Sequence, residues 1–129
     1  MLENKARDII VSHARATLTK IPVESGACRY NFRCHNNAVN DALNNNQDSI
    51  AMCIYIDEGY PVIHFINIDN DGIYTDNTLG RWSETVEYFL VKKIPKVDFF
   101  TVSTVFSAYR KELKRKIPFV IRILNWYKF

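Results

Sequence analysis

The chain is expected to fold as an α+β domain: N-terminal helices packed on an antiparallel sheet of about four strands, followed by a C-terminal helical segment. Three observations predict this. Apolar residues recur at helical spacing over residues 2–19 and again over 102–116. Between them, residues 50–94 hold β-branched and aromatic runs separated by Asp57-Glu58-Gly59 and Asp69-Asn70-Asp71-Gly72 turns. Helices at the ends with strands gathered in the middle match a segregated architecture rather than alternating βαβ units. At 129 residues and 47% hydrophobic content, one domain can bury its core without staples.

Residues 2–19 read as the first helix. Leu2, Ala6, Ile9, Ile10, His13 and Ala14 lie close to helical spacing, while Glu3, Lys5, Arg7, Asp8 and Arg15 take the polar face. His13, on the apolar side, reads as a half-buried packing residue. Pro22 stops the helix, because the residue before a proline is pushed out of the helical region. Residues 22–33 form a connector with a turn at Ser25-Gly26. A second helix spans about 34–43 and turns Ala38, Val39, Ala42 and Leu43 inward. It is rich in asparagine and poor in intrinsic helix formers, so tertiary packing must hold it. Asn44-Asn45-Asn46 ends it, since asparagine tolerates the left-handed conformation at a helix C-terminus.

The sheet follows. Residues 50–56 are an almost unbroken apolar run, as expected of a central strand buried on both faces. Residues 61–68 form a second strand, the Asp69–Gly72 segment a hairpin turn, residues 73–78 a third strand, and residues 88–94 a fourth. After Pro95, Val102, Val105, Phe106, Tyr109 and Leu113 repeat every three or four residues, and Pro118 should end that helix after Lys116. The apolar tail, residues 119–129, is expected to pack as a last helix or strand.

Charge divides the chain. Residues 1–91 carry 7 basic and 12 acidic side chains, whereas residues 92–129 carry 10 and 2. The chain thus reads as a single domain, with residues 95–129 as a basic C-terminal helical segment. Its bland reading is a solvated helix face; its sharper reading is a surface for nucleic acid or an acidic partner, built on Arg110, Lys111, Lys114, Arg115 and Lys116. Tyr109, Trp126 and Tyr127 would then supply stacking faces. No apolar stretch is long enough to span a membrane, and residues 1–20 lack the apolar core of a signal peptide. Three irregularly spaced cysteines argue against a disulfide framework, so a reducing cytoplasm is expected. The 14 isoleucines and 12 asparagines fit an AT-rich genome such as that of many bacteriophages.

The chemistry gathers at three residues. Cys34 opens the second helix, His64 lies on the second strand and Asp76 on the third. Pairing Asp69 with Ile73 sets His64 opposite Thr78 and diagonal to Asp76; a shift of two sets His64 directly opposite Asp76. Either register puts imidazole and carboxylate on one face, and an odd shift would separate them. A thiol needs a neighbouring base to become a strong nucleophile, and a helix N-terminus further favours the thiolate. The imidazole needs a group that fixes its tautomer, which Asp76 would supply. An oxyanion would meet the Cys34 amide and one side-chain donor, Asn31 or Tyr30.

The segments Asn31-Phe-Arg-Cys34-His-Asn-Asn-Ala-Val, Val62-Ile-His64-Phe and Tyr74-Thr-Asp76-Asn-Thr-Leu-Gly80 resemble the three motifs of the papain-like superfamily, in its transglutaminase-like and NlpC/P60-like branches. The resemblance covers about residues 30–80, within a papain-like core of residues 30–94. It departs in having His35 after the cysteine, where the transglutaminase-like pattern has an aromatic residue, and Phe-Arg before it, where the NlpC/P60-like pattern has Tyr-Asp. It implies a thiol hydrolase or acyl transferase (peptidase, amidase, deamidase or transglutaminase type) acting on an amide of a protein or peptide, with no metal or other cofactor. Cys53, inside an apolar strand, reads as inert core, and Cys28 has no base nearby in sequence. Cys28, Cys34, His35 and His64 match no zinc module, and Asp69–Gly72 lacks the remaining ligands of a calcium loop. A non-catalytic binding protein on the same fold is the alternative.

Overall fold

The computed structural model describes residues 2–29 and 33–121. Within them the chain runs α1 (Leu2–Thr17), β1 (Thr19–Ile21), β2 (Val23–Ser25), α2 (Cys34–Asn44), β3 (Ser49–Asp57), β4 (Tyr60–Ile68), β5 (Tyr74–Asp76), β6 (Glu87–Pro95) and α3 (Val102–Arg115). Two 3-10 turns, Gly80–Thr85 and Lys96–Thr101, flank β6. The strands form one sheet in the order β1-β6-β3-β4-β5-β2. The α+β class is as expected, but the sheet has six strands and is mixed, because β2 runs parallel to β5.

The two additional strands come from the segment read as helix end and connector. The first helix stops at Thr17 rather than residue 19, and Thr19–Ile21 pairs with β6. Pro22 separates that strand from Val23–Ser25, which pairs with Tyr74–Asp76. A three-residue strand has no room for a recognisable period, so these pairings are set by the sheet edges they meet. The third expected strand is also shorter, stopping at Asp76 rather than Thr78.

β3 lies inside the sheet, between β4 and β6, and its continuous apolar run is buried on both sides. Ile50, Met52, Ile54 and Ile56, with Ile63 and Phe65 of β4, face the main core with Ile10 of α1, Ala38 and Ala42 of α2, and Leu113 of α3. The alternate residues Ala51, Cys53, Ile66 and Ile68 form a smaller cluster on the other side with Ile21 and Tyr88. The β3–β6 register slips between Met52 and Cys53, where β6 carries one extra residue, and such a bulge adds twist to the sheet.

Local turn chemistry fixes the registers. Glu58 and Gly59 both have positive φ, 49° and 83°, giving the two-residue hairpin that pairs Asp57 with Tyr60. At the next hairpin, Asp69 Oδ1 accepts the backbone N–H groups of Asp71 and Ile73, each at 2.9 Å, and Gly72 supplies a φ of 80°. That turn is structural. Asn46, at φ 53°, leaves α2 in the left-handed region. α2 buries Asn37, Ala38 and Ala42, while Leu43 is 48% exposed, contrary to the expected inward set. Of the tail, residues 122–129 lie outside the described residues.

Candidate active site

β5 pairs with β4 only through Asn67↔Thr75 and Ile68↔Tyr74, the register that follows from pairing Asp69 with Ile73. The β4 edge from residue 61 to 66 therefore has no strand beside it, and α2 occupies the space. Two small residues, Ala38 and Ala42, are 2% and 0% exposed and let the helix approach closely. Asn67 Nδ2 anchors it by donating to the Ala38 carbonyl at 2.8 Å and to Gln47 Oε1 at 2.9 Å. Asn37 Nδ2 donates to Thr78 Oγ1 at 3.0 Å, tying the helix to the segment that follows Asp76. Arg29 clamps Asp41 with two hydrogen bonds of 2.6 and 3.0 Å and reaches the Asn77 carbonyl at 3.0 Å.

This packing brings three of the expected residues together. Cys34, the first residue of α2, lies close enough to the His64 side chain and to the Phe65 and His35 backbone for each of them to lower its thiol pKa. The Phe65 amide is available because no strand pairs on that side of β4. His64 Nε2 lies 2.8 Å from Asp76 Oδ2. His64 alternates with Phe65, so its ring stands on the sheet face away from the main core, and the thiol meets it around the open strand edge.

Asp76 is 0% exposed and fully engaged. Oδ1 accepts the amides of Thr78 and Leu79 at 2.8 and 2.9 Å, and Oδ2 accepts the Tyr88 hydroxyl at 2.6 Å besides the imidazole. Burial alone would raise its carboxyl, but the bonds from His64, Tyr88 and Leu79 hold it below the ordinary carboxylate value. An ionised carboxylate only accepts, so Nε2 carries the proton and Nδ1 is the nitrogen left for the thiol.

The electrostatics follow. Burial disfavours a charged imidazole, yet hydrogen bonds to Asp76 and Cys34 outweigh it and push His64 up to about 9. Burial likewise raises the Cys34 thiol, while the His64 hydrogen bond and charge and the two backbone bonds bring it below the ordinary thiol value. Both shifts point the same way, towards a thiolate beside an imidazolium. No acidic residue sits in the first turn of α2 to oppose the thiolate. Tyr55 stands edge-on to the His64 ring, centroids 5.0 Å apart.

The other sequence candidates separate from this site. Cys53 is 0% exposed, its thiol donates to the His64 carbonyl at 3.4 Å, and burial pushes it well above the ordinary value. Cys28 is exposed. Asn31 and Tyr30, the expected oxyanion donors, lie outside the described residues, as do Trp126 and Tyr127. Arg110, Lys111, Lys114 and Arg115 lie on α3 and Lys116 caps it. Tyr109, named with that basic surface, is partly buried and packs against the main core. Among the described residues, no group of three or more His, Cys, Asp or Glu could hold a metal ion, and no helix is long and apolar enough to cross a membrane.

Two partners of the site were not found from sequence. Tyr88 is 54 residues from Cys34 and reaches Asp76 only because β6 and β4 flank the same central strand. Asn37 is, in sequence, one polar residue among several in α2. The only available signal was a tyrosine at the start of an apolar strand. Comparison with protein-family models, curated proteins and solved structures finds no match.

Proposed function

We propose that the protein is a thiol-dependent hydrolase or acyl transferase acting on an amide of a protein or peptide, with Cys34 as nucleophile, His64 as base and acid, and Asp76 orienting the imidazole. The observation that carries this reading is the His64 imidazole bonded to a buried, four-times hydrogen-bonded Asp76 and placed near enough to Cys34 for each to shift the other's titration. The resemblance of the three segments to the papain-like superfamily supports the same assignment.

The cycle follows from the tautomer. His64 Nδ1 takes the Cys34 proton, and the thiolate attacks the amide carbonyl carbon. The oxyanion forms beside the helix N-terminus, where the Cys34 amide is a donor; Asn31 or Tyr30 would supply the second. On collapse the C–N bond breaks, Nδ1–H protonates the departing amine, and a thioester remains on Cys34. Water or an acceptor amine then loses its proton to Nδ1 as it attacks the thioester, and Cys34 leaves. The oriented carboxylate stabilises the imidazolium in both halves without accepting its proton.

Trapping the thioester tests this proposal. The folded protein is incubated with a panel of glutamine- and asparagine-containing peptides and peptide amides, quenched in acid and weighed intact. An acyl adduct on Cys34, released amine or ammonia, and loss of both in Cys34→Ser are expected. Amide turnover that survives Cys34→Ser, or a panel spanning all these amide types that yields neither adduct nor amine, would overturn it.

A further inference from the structure

We infer that Tyr88 is a positioning residue of this site: from β6, its hydroxyl donates to the same Asp76 oxygen that His64 uses, and so limits how strongly the carboxylate holds the imidazole. This rests on the thiol-enzyme reading. The two bonds to Oδ2 are 2.6 Å from Tyr88 and 2.8 Å from His64, while Oδ1 is taken by two backbone amides. Tyr88 is 2% exposed, so water does not compete for the bond.

The sheet explains how the contact arises. Tyr88 lies opposite Tyr55 on β3, and Cys53, two residues away on the same face, lies opposite His64 on β4. The tyrosine ring sits 6.4 Å from the imidazole and 6.2 Å from Tyr55, centroid to centroid. A buried tyrosine hydroxyl needs an acceptor, but any carbonyl would satisfy it. Here it takes an oxygen whose charge is also used by the base. A donor there stabilises the carboxylate and leaves less of its charge for the imidazolium. That matters because an imidazolium held too tightly is a poor acid towards a leaving amine.

The titratable groups facing the pair are Cys34 from α2, Cys53 and Tyr55 from β3, and Tyr88 from β6. Changing Tyr88 alone therefore leaves Cys34, Cys53 and Tyr55 in place. The test is an NMR titration of the His64 imidazole in the full chain, its signal assigned by its absence in His64→Ala. Tyr88→Phe keeps the ring and removes the donor; the His64 midpoint is expected to rise by about half a pH unit or more. A purely structural role predicts an unchanged or lowered midpoint, and either would overturn the inference. Should Tyr88→Phe not fold, a fluorotyrosine at position 88, a stronger donor, is expected to lower the midpoint; no change or a rise would overturn it. Alkylation of Cys34 in His64→Ala separates the two levels. Unchanged alkylation defeats the base assignment itself, whereas slowed alkylation with an unmoved Tyr88→Phe midpoint defeats only the role of Tyr88.

Discussion

Asp76 and His64 hold each other charged in a buried setting, and this makes the stability of the protein depend on pH at both ends. His64 is raised from 6.5 to about 9, so its contribution is complete below pH 6.5 and is lost as pH rises through 9. Asp76 is lowered from 3.8, so its contribution is present above pH 3.8 and is lost as pH falls through its depressed value. Urea unfolding is expected to show a plateau between pH 3.8 and 6.5 and an alkaline decline above it, made shallower by the lowered Cys34 thiol, that His64→Ala abolishes. An alkaline decline of equal depth in the variant would remove His64 from that account. Asp76→Ala leaves the His64 ring, the Tyr88 hydroxyl and two amides without their acceptor. It is expected to cost about 3–5 kcal/mol by urea titration. The candidate triad was legible in the sequence because each member sits where secondary structure announces it: a helix start and two strands around an unmistakable turn. Tyr88 was not legible, since its reach to Asp76 depends on strand order, which no local pattern encodes.

α2 turns these residues into a site, and it does so through packing rather than propensity. Ala42 is completely buried, so Ala42→Leu has no space to enter without moving the helix. A loss of about 1–3 kcal/mol is expected, with slower alkylation of Cys34 as the thiol moves from His64. Wild-type reactivity in that variant would show that the helix can shift without disturbing the pair. The β3–β4 hairpin offers an opposite test. Glu58 adopts a left-handed conformation at φ 49° that asparagine tolerates better. Glu58→Asn is expected to stabilise the protein by roughly 0.5–1 kcal/mol, read as a higher urea midpoint at an unchanged slope. Long periodic elements were readable from sequence to within two residues at their ends. The short strands β1 and β2 were not, because three residues on either side of Pro22 carry no period. Only the sheet edges define them.

The sheet also divides labour between its faces. α1, α2 and α3 build the main core on one face, and His64 stands on the other with Tyr55 and Tyr88. The excess positive charge of residues 92–129 falls partly on α3, where Lys111 and Arg115 are exposed. This basic surface lies on α3, whereas the thiol chemistry is placed on α2, β4 and β5. Replacing Lys111, Lys114 and Arg115 together by alanine should therefore leave Cys34 alkylation unchanged, and a marked loss would link the two. The reactivity of the three cysteines carries the larger question. Rates of iodoacetamide alkylation at pH 6–7, resolved by peptide mass mapping, compare Cys34 with Cys28 and Cys53 in wild type and in His64→Ala. Cys34 should react about tenfold or more faster than either other cysteine, and that advantage should vanish in His64→Ala. Equal rates at Cys34 and Cys28, or a Cys34 rate indifferent to His64, would contradict an activated thiolate at this site.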